Sequence, residues 1–177
     1  MKKLTKIIFI IGGAASGKST YAQQLAIKSG KPVTLIATAT ASDPEMASKI
    51  AAHQKARPRS WLTLETQNES LFKMIKLAKT PVIIIDCLTM FVSTQMVISG
   101  KNKDQILVQT ESIIKAIKNH KACKKFIIVS NEVGSGLVPD SKQSRDFREI
   151  LGAVNKKFMA AAHQGILMVA GQPLHVK

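Results

Sequence analysis

The sequence predicts an α/β fold of three layers, in which helices cover both faces of a mostly parallel sheet that ends in a C-terminal β-hairpin. The first observation is a set of five apolar runs rich in Ile and Val, separated by longer segments of helical composition, at residues 7–11, 33–36, 82–85, 126–129 and 166–169. Runs without polar alternation suit strands that are buried on both faces, as in a parallel sheet covered by helices. The second observation is a pair of short apolar segments around Gly171, Gln172 and Pro173, which predicts the hairpin.

The third observation is a helix that the sequence outlines after Pro139. Its apolar residues recur at three- and four-residue spacings, which is the pattern of a helix with one buried face; they are Phe147, Ile150, Leu151, Val154, Phe158 and Ala162. With 177 residues, of which 45% are hydrophobic and 21% are charged, the chain is typical of one compact domain over residues 1–177.

A glycine-rich turn follows the first apolar run, where residues 12–19 read GGAASGKS. This spacing is that of the P-loop, whose backbone N–H groups face phosphate oxygens at the start of a helix. Lys18 is predicted to reach the β- and γ-phosphates, and Ser19 is predicted to bind Mg²⁺. The motif therefore predicts a P-loop NTPase (RecA-like) fold that holds phosphates with Gly12, Gly13, Ala14, Ala15, Ser16, Gly17, Lys18 and Ser19.

Asp86 closes the apolar run VIIID. P-loop proteins place a second acidic group near the metal in such a position, so Asp86 is predicted to bind Mg²⁺ together with Ser19. A residue that only caps a turn or a helix is the alternative.

The segment at residues 44–65 carries His53 close to Lys55, Arg57 and Arg59. A neutral imidazole is nucleophilic at cellular pH, and neighbouring cations could hold the phosphates that it attacks. A solvated histidine on a basic helix is the simpler interpretation of the same residues.

The chain carries 26 basic and 11 acidic residues, a net charge of +15, which suits nucleic acid, a membrane surface or anionic nucleotides as partners. The sequence has no arginine-rich run and no basic patch with interleaved aromatics, so we do not expect nucleic acid as a partner. Cys87 and Cys123 lack metal-type spacing and are expected to be reduced.

The N-terminal stretch MKKLTKIIFIIGGAAS is similar to a signal peptide. Its uninterrupted apolar core, residues 7–11, is however short, and cleavage would fall inside the phosphate loop. No segment approaches the roughly 20 apolar residues of a membrane span. A cytoplasmic location without stable membrane insertion is therefore expected.

Several longer stretches together resemble the bifunctional adenosylcobinamide kinase and adenosylcobinamide-phosphate guanylyltransferase family of cobalamin biosynthesis, nearly from end to end. The most distinctive are SNEVGSGLVP at 130–139 and SRDFREILGAVNKKF at 144–158. The others are GGAASGKS at 12–19, LIATA at 35–39, the segment from DPEM to RPRSW, IIDCLTM at 84–90 and the closing GQPLHVK.

The resemblance implies two activities in one chain. The kinase phosphorylates the aminopropanol hydroxyl of adenosylcobinamide with ATP or GTP, and the transferase then joins GMP from GTP to that phosphate, which gives adenosylcobinamide-GDP and pyrophosphate. It implies a homotrimer, a nucleophilic His53 that carries the guanylyl group, and a catalytic role for Lys18. It also implies that the guanine nucleotide is surrounded by Ala37, Thr38, Ala39, Gln54, Lys55, Ala56, Arg57, Glu65 and Asp86.

Two interpretations from other functional classes stay open at this point. One is a P-loop small-molecule kinase without guanylyl transfer, in which His53 is a surface residue. The other is a nucleic-acid-binding ATPase that uses the net charge of +15. If the guanylyl transferase is the right interpretation, we expect the helix that carries His53 to swing toward the phosphate loop when GTP binds.

Overall fold

The computed structural model describes residues 5–39, 44–55, 57–66 and 69–177. The strands in chain order are β1 (Lys6–Gly12), β2 (Val33–Ala37), β3 (Leu62–Glu65), β4 (Val82–Asp86), β5 (Lys125–Asn131), β6 (Gln164–Val169) and β7 (Gln172–His175). The helices are α1 (Lys18–Ile27), α2 (Pro44–Lys55), α3 (Leu71–Leu77), α4 (Leu88–Ser93), α5 (Lys103–Lys118) and α6 (Lys142–Ala161), and a π-helical turn, Thr94–Ile98, follows α4.

In the described part of the chain, the strands form one sheet in the order β3-β2-β4-β5-β1-β6-β7. Every neighbouring pair is parallel except β6 and β7, which pair antiparallel. The turn between them passes through Ala170 and Gly171, which both have a positive φ. The predicted α/β fold with a mostly parallel sheet and a terminal hairpin is therefore confirmed.

The five apolar runs of the sequence lie in β1, β2, β4, β5 and β6. The strand β3 was not predicted, because its four residues include three that are exposed and therefore show no apolar run. It pairs at the edge of the sheet with β2, from Thr34↔Leu62 to Ala37↔Glu65. This edge strand connects the segment of His53 to the sheet.

Helices cover both faces of the sheet because successive residues of a buried strand point to opposite sides. On one side, Ile8 and Ile10 of β1 pack in a cluster with Ala22 of α1. On the other side, Ile7 and Phe9 belong to a larger cluster that includes buried residues of α3, α4, α5 and α6. The result is the three-layer arrangement that the sequence predicts.

The helix predicted after Pro139 is α6, which begins after Ser141, whose hydroxyl accepts a hydrogen bond from the Ser144 amide at 3.1 Å. Its predicted face is buried at Ile150, Leu151, Val154 and Phe158. Among the residues that the structure describes, no helix has both the length and the apolar character to cross a membrane.

The carboxyl ends of the parallel strands meet at one edge of the sheet. The parallel register places Gly12 beside Asn131, Ala37 beside Glu65, and Ala37 also beside Asp86. In open α/β sheets, ligands bind outside this edge, at the point where the strand order reverses. The edge therefore marks the candidate active site.

Candidate active site

The phosphate loop connects β1 to α1 and packs against the end of β6. A Cβ atom on Gly12 would lie 2.6 Å from the carbonyl oxygen of Met168, so only glycine fits there. Gly17 has a φ of 91°, and its Cβ would meet the Cα of Gly171 at 3.3 Å. The Gly171 amide also donates to the Ser16 carbonyl at 3.1 Å, so the terminal hairpin supports the loop.

Within this loop lies a cavity of about 240 Å³ lined by residues 15–20. Lys18 is buried beside it and donates from Nζ to the Gly13 carbonyl. Burial lowers the pKa of Lys18, and the negative charge of Asp86 works in the opposite direction. The ammonium group therefore lies in the loop, close enough to Asp86 to be affected by its charge.

Asp86 ends β4 at the same edge, and its peptide bond to Cys87 is cis. The neighbouring Thr38, just after β2, accepts a hydrogen bond from the Cys87 amide and donates one to the Cys87 carbonyl. The Thr38 amide also donates to the Asp86 carbonyl at 3.1 Å. These bonds connect the ends of β2 and β4 and hold the backbone at the carbonyl of Asp86 and at Cys87.

A second set of hydrogen bonds fixes the end of β5 beside the phosphate loop. The Asn131 amide donates to Oγ1 of Thr89 at 3.0 Å, and the Asn131 carbonyl accepts from the side-chain amide of Asn155 at 3.0 Å. Asn155 is buried on α6 and also accepts from the Ser130 hydroxyl at 2.7 Å. One residue further, the Glu132 amide donates to the Gly12 carbonyl at 2.9 Å.

The loop after β5, residues 132–141, is held by hydrogen bonds from two arginines of α6. Arg145 donates to the carbonyl oxygens of Pro139 and Asp140 at 3.0 and 2.6 Å. Arg148 donates to those of Gly134 and of Leu137, the latter at 3.1 Å. Both arginines therefore bind the backbone of the loop.

The carboxylate of Glu132 folds back on this loop and accepts from the amides of Gly134 and Ser135, the latter at 3.2 Å. Desolvation raises the pKa of Glu132, but these bonds and the positive charge of Arg148 together hold it below its ordinary value. Glu132 therefore stays ionised at the start of the loop.

The segment that carries His53 reaches the same edge of the sheet. His53 lies near the end of α2, although its side chain, like the whole of Ala56, falls outside the described residues. The side-chain amide of Gln54 donates to the Glu65 carboxylate at 3.5 Å, and the Arg57 amide donates to the Gln54 carbonyl at 3.2 Å. The backbone of His53 is thus adjacent to residues that contact the end of β3.

A cavity of about 250 Å³ opens beside this segment and is lined by Gln54, Arg57, Pro58, Arg59, Trp61, Thr63 and Glu65. Burial lowers the pKa of Arg57, and the charges of Asp86 and Glu65 oppose that shift. The Nε atom of Arg57 is buried and has no hydrogen-bond partner in the described part of the chain. This guanidinium therefore has an unused donor within a pocket.

The structure thus brings most of the predicted site residues to one edge. The phosphate loop at 12–19, the end of β2 with Ala37, Thr38 and Ala39, and Asp86 lie there together with Gln54, Lys55, Arg57 and Glu65. Burial lowers the pKa of both Lys18 and Arg57, and the negative charge of Asp86 opposes that lowering. The roles assigned to these residues, and to His53 and Ala56, stay predictions.

Three residues in or beside this site were not singled out individually from the sequence. Thr89 and Asn155 hold Asn131, and Trp61 lines the pocket beside Glu65. The isolated asparagine in the apolar pattern of α6 was the available signal for Asn155, since a buried amide needs partners. Nothing in the local sequence indicates the position of Thr89 or Trp61.

The other histidines of the chain differ in their surroundings. His163 accepts from the Ile7 amide at 3.0 Å through Nδ1, and His120 accepts from the Cys123 amide at 2.9 Å. Both rings therefore have structural partners. His175 is exposed in β7.

Among the described residues, no group of three or more His, Cys, Asp or Glu is arranged to hold a metal ion. This excludes a zinc-type cluster from that part of the chain. Mg²⁺ does not need one, because it keeps several waters and takes only one or two protein oxygens beside substrate phosphates. The hydroxyl of Ser19 and the carboxylate of Asp86 are oxygen donors of that kind.

Comparison with known proteins identifies close relatives in sequence. The family model described as cobinamide kinase / cobinamide phosphate guanyltransferase matches residues 8–176. The chain is 35% identical over 184 residues to the bifunctional adenosylcobalamin biosynthesis protein CobU of Escherichia coli, covering 97% of this chain and 99% of that protein. It is 32% identical to the bifunctional adenosylcobalamin biosynthesis protein CobP of Pseudomonas aeruginosa, covering 95% of each.

Solved structures show similarity in fold at much lower sequence identity. The RadB recombinase matches with a TM-score of 0.55 and 13% identity, covering 92% of this chain and 73% of that one. An ATPase from the type III secretion system of pathogenic bacteria matches with a TM-score of 0.56 and 10% identity, covering 93% of this chain and 52% of that one. At such identities the likeness concerns the fold alone, and it confirms the predicted RecA-like architecture.

Proposed function

Since the chain belongs to the cobinamide kinase / cobinamide phosphate guanyltransferase family, we propose that both of its reactions use the nucleotide site at the carboxyl edge of the sheet. The protein is a bifunctional enzyme of cobalamin biosynthesis that uses nucleotides to phosphorylate cobinamide and to guanylylate cobinamide phosphate. The observation that carries the proposal is the unused, buried Nε of Arg57, four residues after His53 and within the electrostatic reach of Asp86.

The phosphate loop holds the triphosphate in this proposal. Backbone amides of residues 12–19 face the phosphate oxygens, and Lys18 binds the β- and γ-phosphates. Ser19 and Asp86 would hold Mg²⁺, which neutralises charge on the phosphates when bound. The lowered pKa of Lys18 supports this role, because the negative charge of a triphosphate favours the ammonium form that burial disfavours.

The pocket beside Arg57 receives the guanine base. Guanine presents its N1–H and exocyclic amino group as adjacent donors, and the exposed carboxylate of Glu65 is an acceptor for both. Trp61 supplies an aromatic wall and Gln54 a second polar group. Adenine lacks that pair of donors, so Glu65 favours GTP over ATP at this position.

Guanylyl transfer proceeds in two displacements at the α-phosphorus. In the first, a ring nitrogen of neutral His53 bonds to the α-phosphorus while the bond to the bridging oxygen breaks and pyrophosphate leaves. In the second, an oxygen of cobinamide phosphate bonds to the same phosphorus, the phosphorus–nitrogen bond breaks, and His53 is regenerated. Arg57 and Lys55 stabilise the negative charge that develops on the phosphate oxygens.

Phosphoryl transfer from ATP or GTP to cobinamide depends mainly on positioning and charge. The hydroxyl oxygen of the aminopropanol arm bonds to the γ-phosphorus, the nucleoside diphosphate leaves, and the hydroxyl proton passes to solvent. Lys18 stabilises negative charge on the transferred phosphoryl group. We also propose that the active form is a homotrimer, which sedimentation velocity of the purified protein can test.

The decisive experiment uses GTP labelled at the α-phosphorus, with Mg²⁺ and no acceptor, followed by denaturing separation. Wild type and the His175→Ala control, which alters an exposed histidine in β7, are expected to keep acid-labile, base-stable label, and His53→Ala is expected to keep none. Equal label on His53→Ala would place the nucleophile elsewhere. If wild type binds GTP but keeps no label, the guanylyl-histidine intermediate is refuted, and the interpretation as a kinase without guanylyl transfer is favoured.

A further inference from the structure

A groove runs along α6 beneath the 132–141 loop. Its volume is about 660 Å³, within the range of pockets that bind small molecules and cofactors. The floor is formed by Gly152 and Ala153 of α6, and the opposite wall by Val138 and Pro139 of the 132–141 loop. The rim is charged.

The groove exists because side chains on its floor are small and the loop above it is held in place. A Cβ atom on Gly152 would have no heavy atom within 4 Å, so that position faces open space. Arg145 and Arg148 donate to four carbonyl oxygens of the loop, which keeps the loop over the helix. The cavity is therefore built into the fold.

The chemical character of the groove is amphipathic. Val138, which lines the groove, is 72% exposed, so the loop presents an apolar side chain there that the described part of the chain leaves largely uncovered. Arg145, Arg148 and Lys156 add positive charge along the rim, whereas Lys103 is paired with Glu149 at 2.5 Å. Such a surface fits a ligand with an apolar body, polar edges and a negative charge.

The 132–141 loop runs from the carboxyl edge of the sheet to the groove. Gly134 lines the groove, and two residues earlier the Glu132 amide is bonded to the Gly12 carbonyl of the phosphate loop. The loop begins where β5 ends, at the carboxyl edge of the sheet, and Gly134 of the groove lies three residues beyond that strand. A ligand in the groove can therefore extend an arm toward the triphosphate.

We infer that this groove binds the acceptor of both reactions, the corrinoid macrocycle of cobinamide and of cobinamide phosphate. This inference rests on the proposed function. The macrocycle has apolar faces and a rim of carboxamides, and its aminopropanol arm ends in the hydroxyl or phosphate that reacts. The apolar walls contact the ring, the polar rim contacts the carboxamides, and the arm reaches the edge of the sheet beside Glu132.

The positive rim has a specific consequence for the two acceptors. Cobinamide phosphate is more negative than cobinamide, so the net positive charge of the groove favours it and retains the product of the first reaction for the second. A groove that served only as a contact between two copies of the chain would make no such distinction. The two occupants can therefore be separated by measurement.

The test fills the groove with Gly152→Leu. The substitution meets no neighbouring atom and replaces glycine by a stronger helix former, so α6 is expected to stay folded. Ala160→Leu, on an exposed position of the same helix outside the groove, is the matched control. The probes are cobinamide and cobinamide phosphate in steady-state assays, and self-guanylylation from GTP alone, which needs no acceptor.

Gly152→Leu is expected to raise the KM for both acceptors at least 10-fold and to leave self-guanylylation intact, and Ala160→Leu is expected to match wild type. Lys156→Glu is expected to raise the KM for cobinamide phosphate more than that for cobinamide. An unchanged KM for both acceptors in Gly152→Leu overturns the inference. So does a KM increase that accompanies dissociation of the oligomer in sedimentation, since the groove would then be a protein interface. A wild type that neither phosphorylates cobinamide nor accepts guanylyl from GTP would instead refute the proposed function.

Discussion

The hydroxyl of Thr38 and the backbone of Cys87 are joined by two hydrogen bonds, of 2.6 Å to the carbonyl and 2.7 Å from the amide. The two residues are far apart in sequence, but β2 and β4 are neighbours in the sheet, so their ends meet. One hydroxyl thereby satisfies both backbone groups of the residue that follows Asp86. We expect this contact to help fix the position of Asp86, the predicted metal-binding residue.

Removal of the Thr38 hydroxyl is expected to lower both stability and nucleotide binding. Thr38→Val keeps the shape of the side chain but leaves the Cys87 amide and carbonyl without these partners, which should cost about 2–3 kcal/mol. Thr38→Ser keeps the hydroxyl and serves as the control. Urea denaturation and GTP titration measure the two effects, and equal unfolding free energies for the valine variant and wild type would contradict the assigned role.

Replacement of Lys18 is expected to abolish activity and to change how stability depends on pH. Burial lowers the pKa of this lysine below its ordinary value of 10.5, so the unfolded chain binds more protons just below pH 10.5. The contribution of Lys18 to the free energy of unfolding therefore rises with pH up to about 10.5 and is constant above it.

Lys18→Met removes that contribution, and the difference in unfolding free energy between wild type and variant is expected to shift in favour of wild type as the pH rises from 8 toward about 10.5. The loss of a charged contact to phosphate should weaken GTP binding by on the order of 100-fold. A difference that does not vary with pH would show that Lys18 has an ordinary pKa in the folded protein.

Recognition of the guanine base of GTP is expected to depend on Glu65. Glu65→Gln replaces an acceptor of two donors by a group with one acceptor, which should raise the KM for GTP by roughly 10-fold, or about 1.4 kcal/mol. The side chain is exposed at the end of β3, so the fold should be unaffected. ITP lacks the exocyclic amino group, so the KM for ITP is expected to differ less between wild type and the variant than the KM for GTP does. Identical GTP kinetics in the variant would remove Glu65 from base recognition.

Alkaline conditions are expected to destabilise the protein through Cys123. Burial raises the pKa of this thiol to about 12, from an ordinary value of 9.0. A folded-state pKa above that of the unfolded chain means that the stability is present below pH 9 and is lost as the pH rises toward 12. The slope approaches about 1.4 kcal/mol per pH unit for one group.

Cys123→Ala should remove this slope between about pH 9 and 10.5, in addition to a constant loss of packing. The comparison of wild type with variant cancels the other titrating groups. Parallel curves for the two proteins would indicate that the thiol ionises normally in the fold.

The sequence predicts the strands of the sheet where burial on both faces produces apolar runs, as in β1 and β4. It does not predict β3, because an edge strand with exposed side chains has no such pattern. The phosphate loop is predictable because its geometry depends on a local spacing of glycines, such as Gly12 and Gly17. The sites of Asn155 and Trp61 depend on how distant elements pack, which local spacing does not encode.

The groove along α6 is a second example. The small residues Gly152 and Ala153 are visible in the sequence, but a gap between them and a loop near Val138 exists only when the loop is held over the helix. The contacts that hold it, from Arg145 and Arg148 to backbone carbonyls, have no residue-type signature on the accepting side. Such sites are therefore recognised only from the three-dimensional structure.

The position of β1 between β5 and β6 has a consequence for synthesis of the chain on the ribosome. The strand that leads into the phosphate loop is made first, but Lys6 pairs with Lys125, and Gly12 pairs with Asn131 and Met168. Long-range parallel pairing of this kind forms slowly and leaves apolar strands exposed meanwhile. We therefore expect a nascent chain that has emerged only as far as β4 to leave both edges of β1 unpaired, and to complete the support of the phosphate loop only after β5 and β6 have been made.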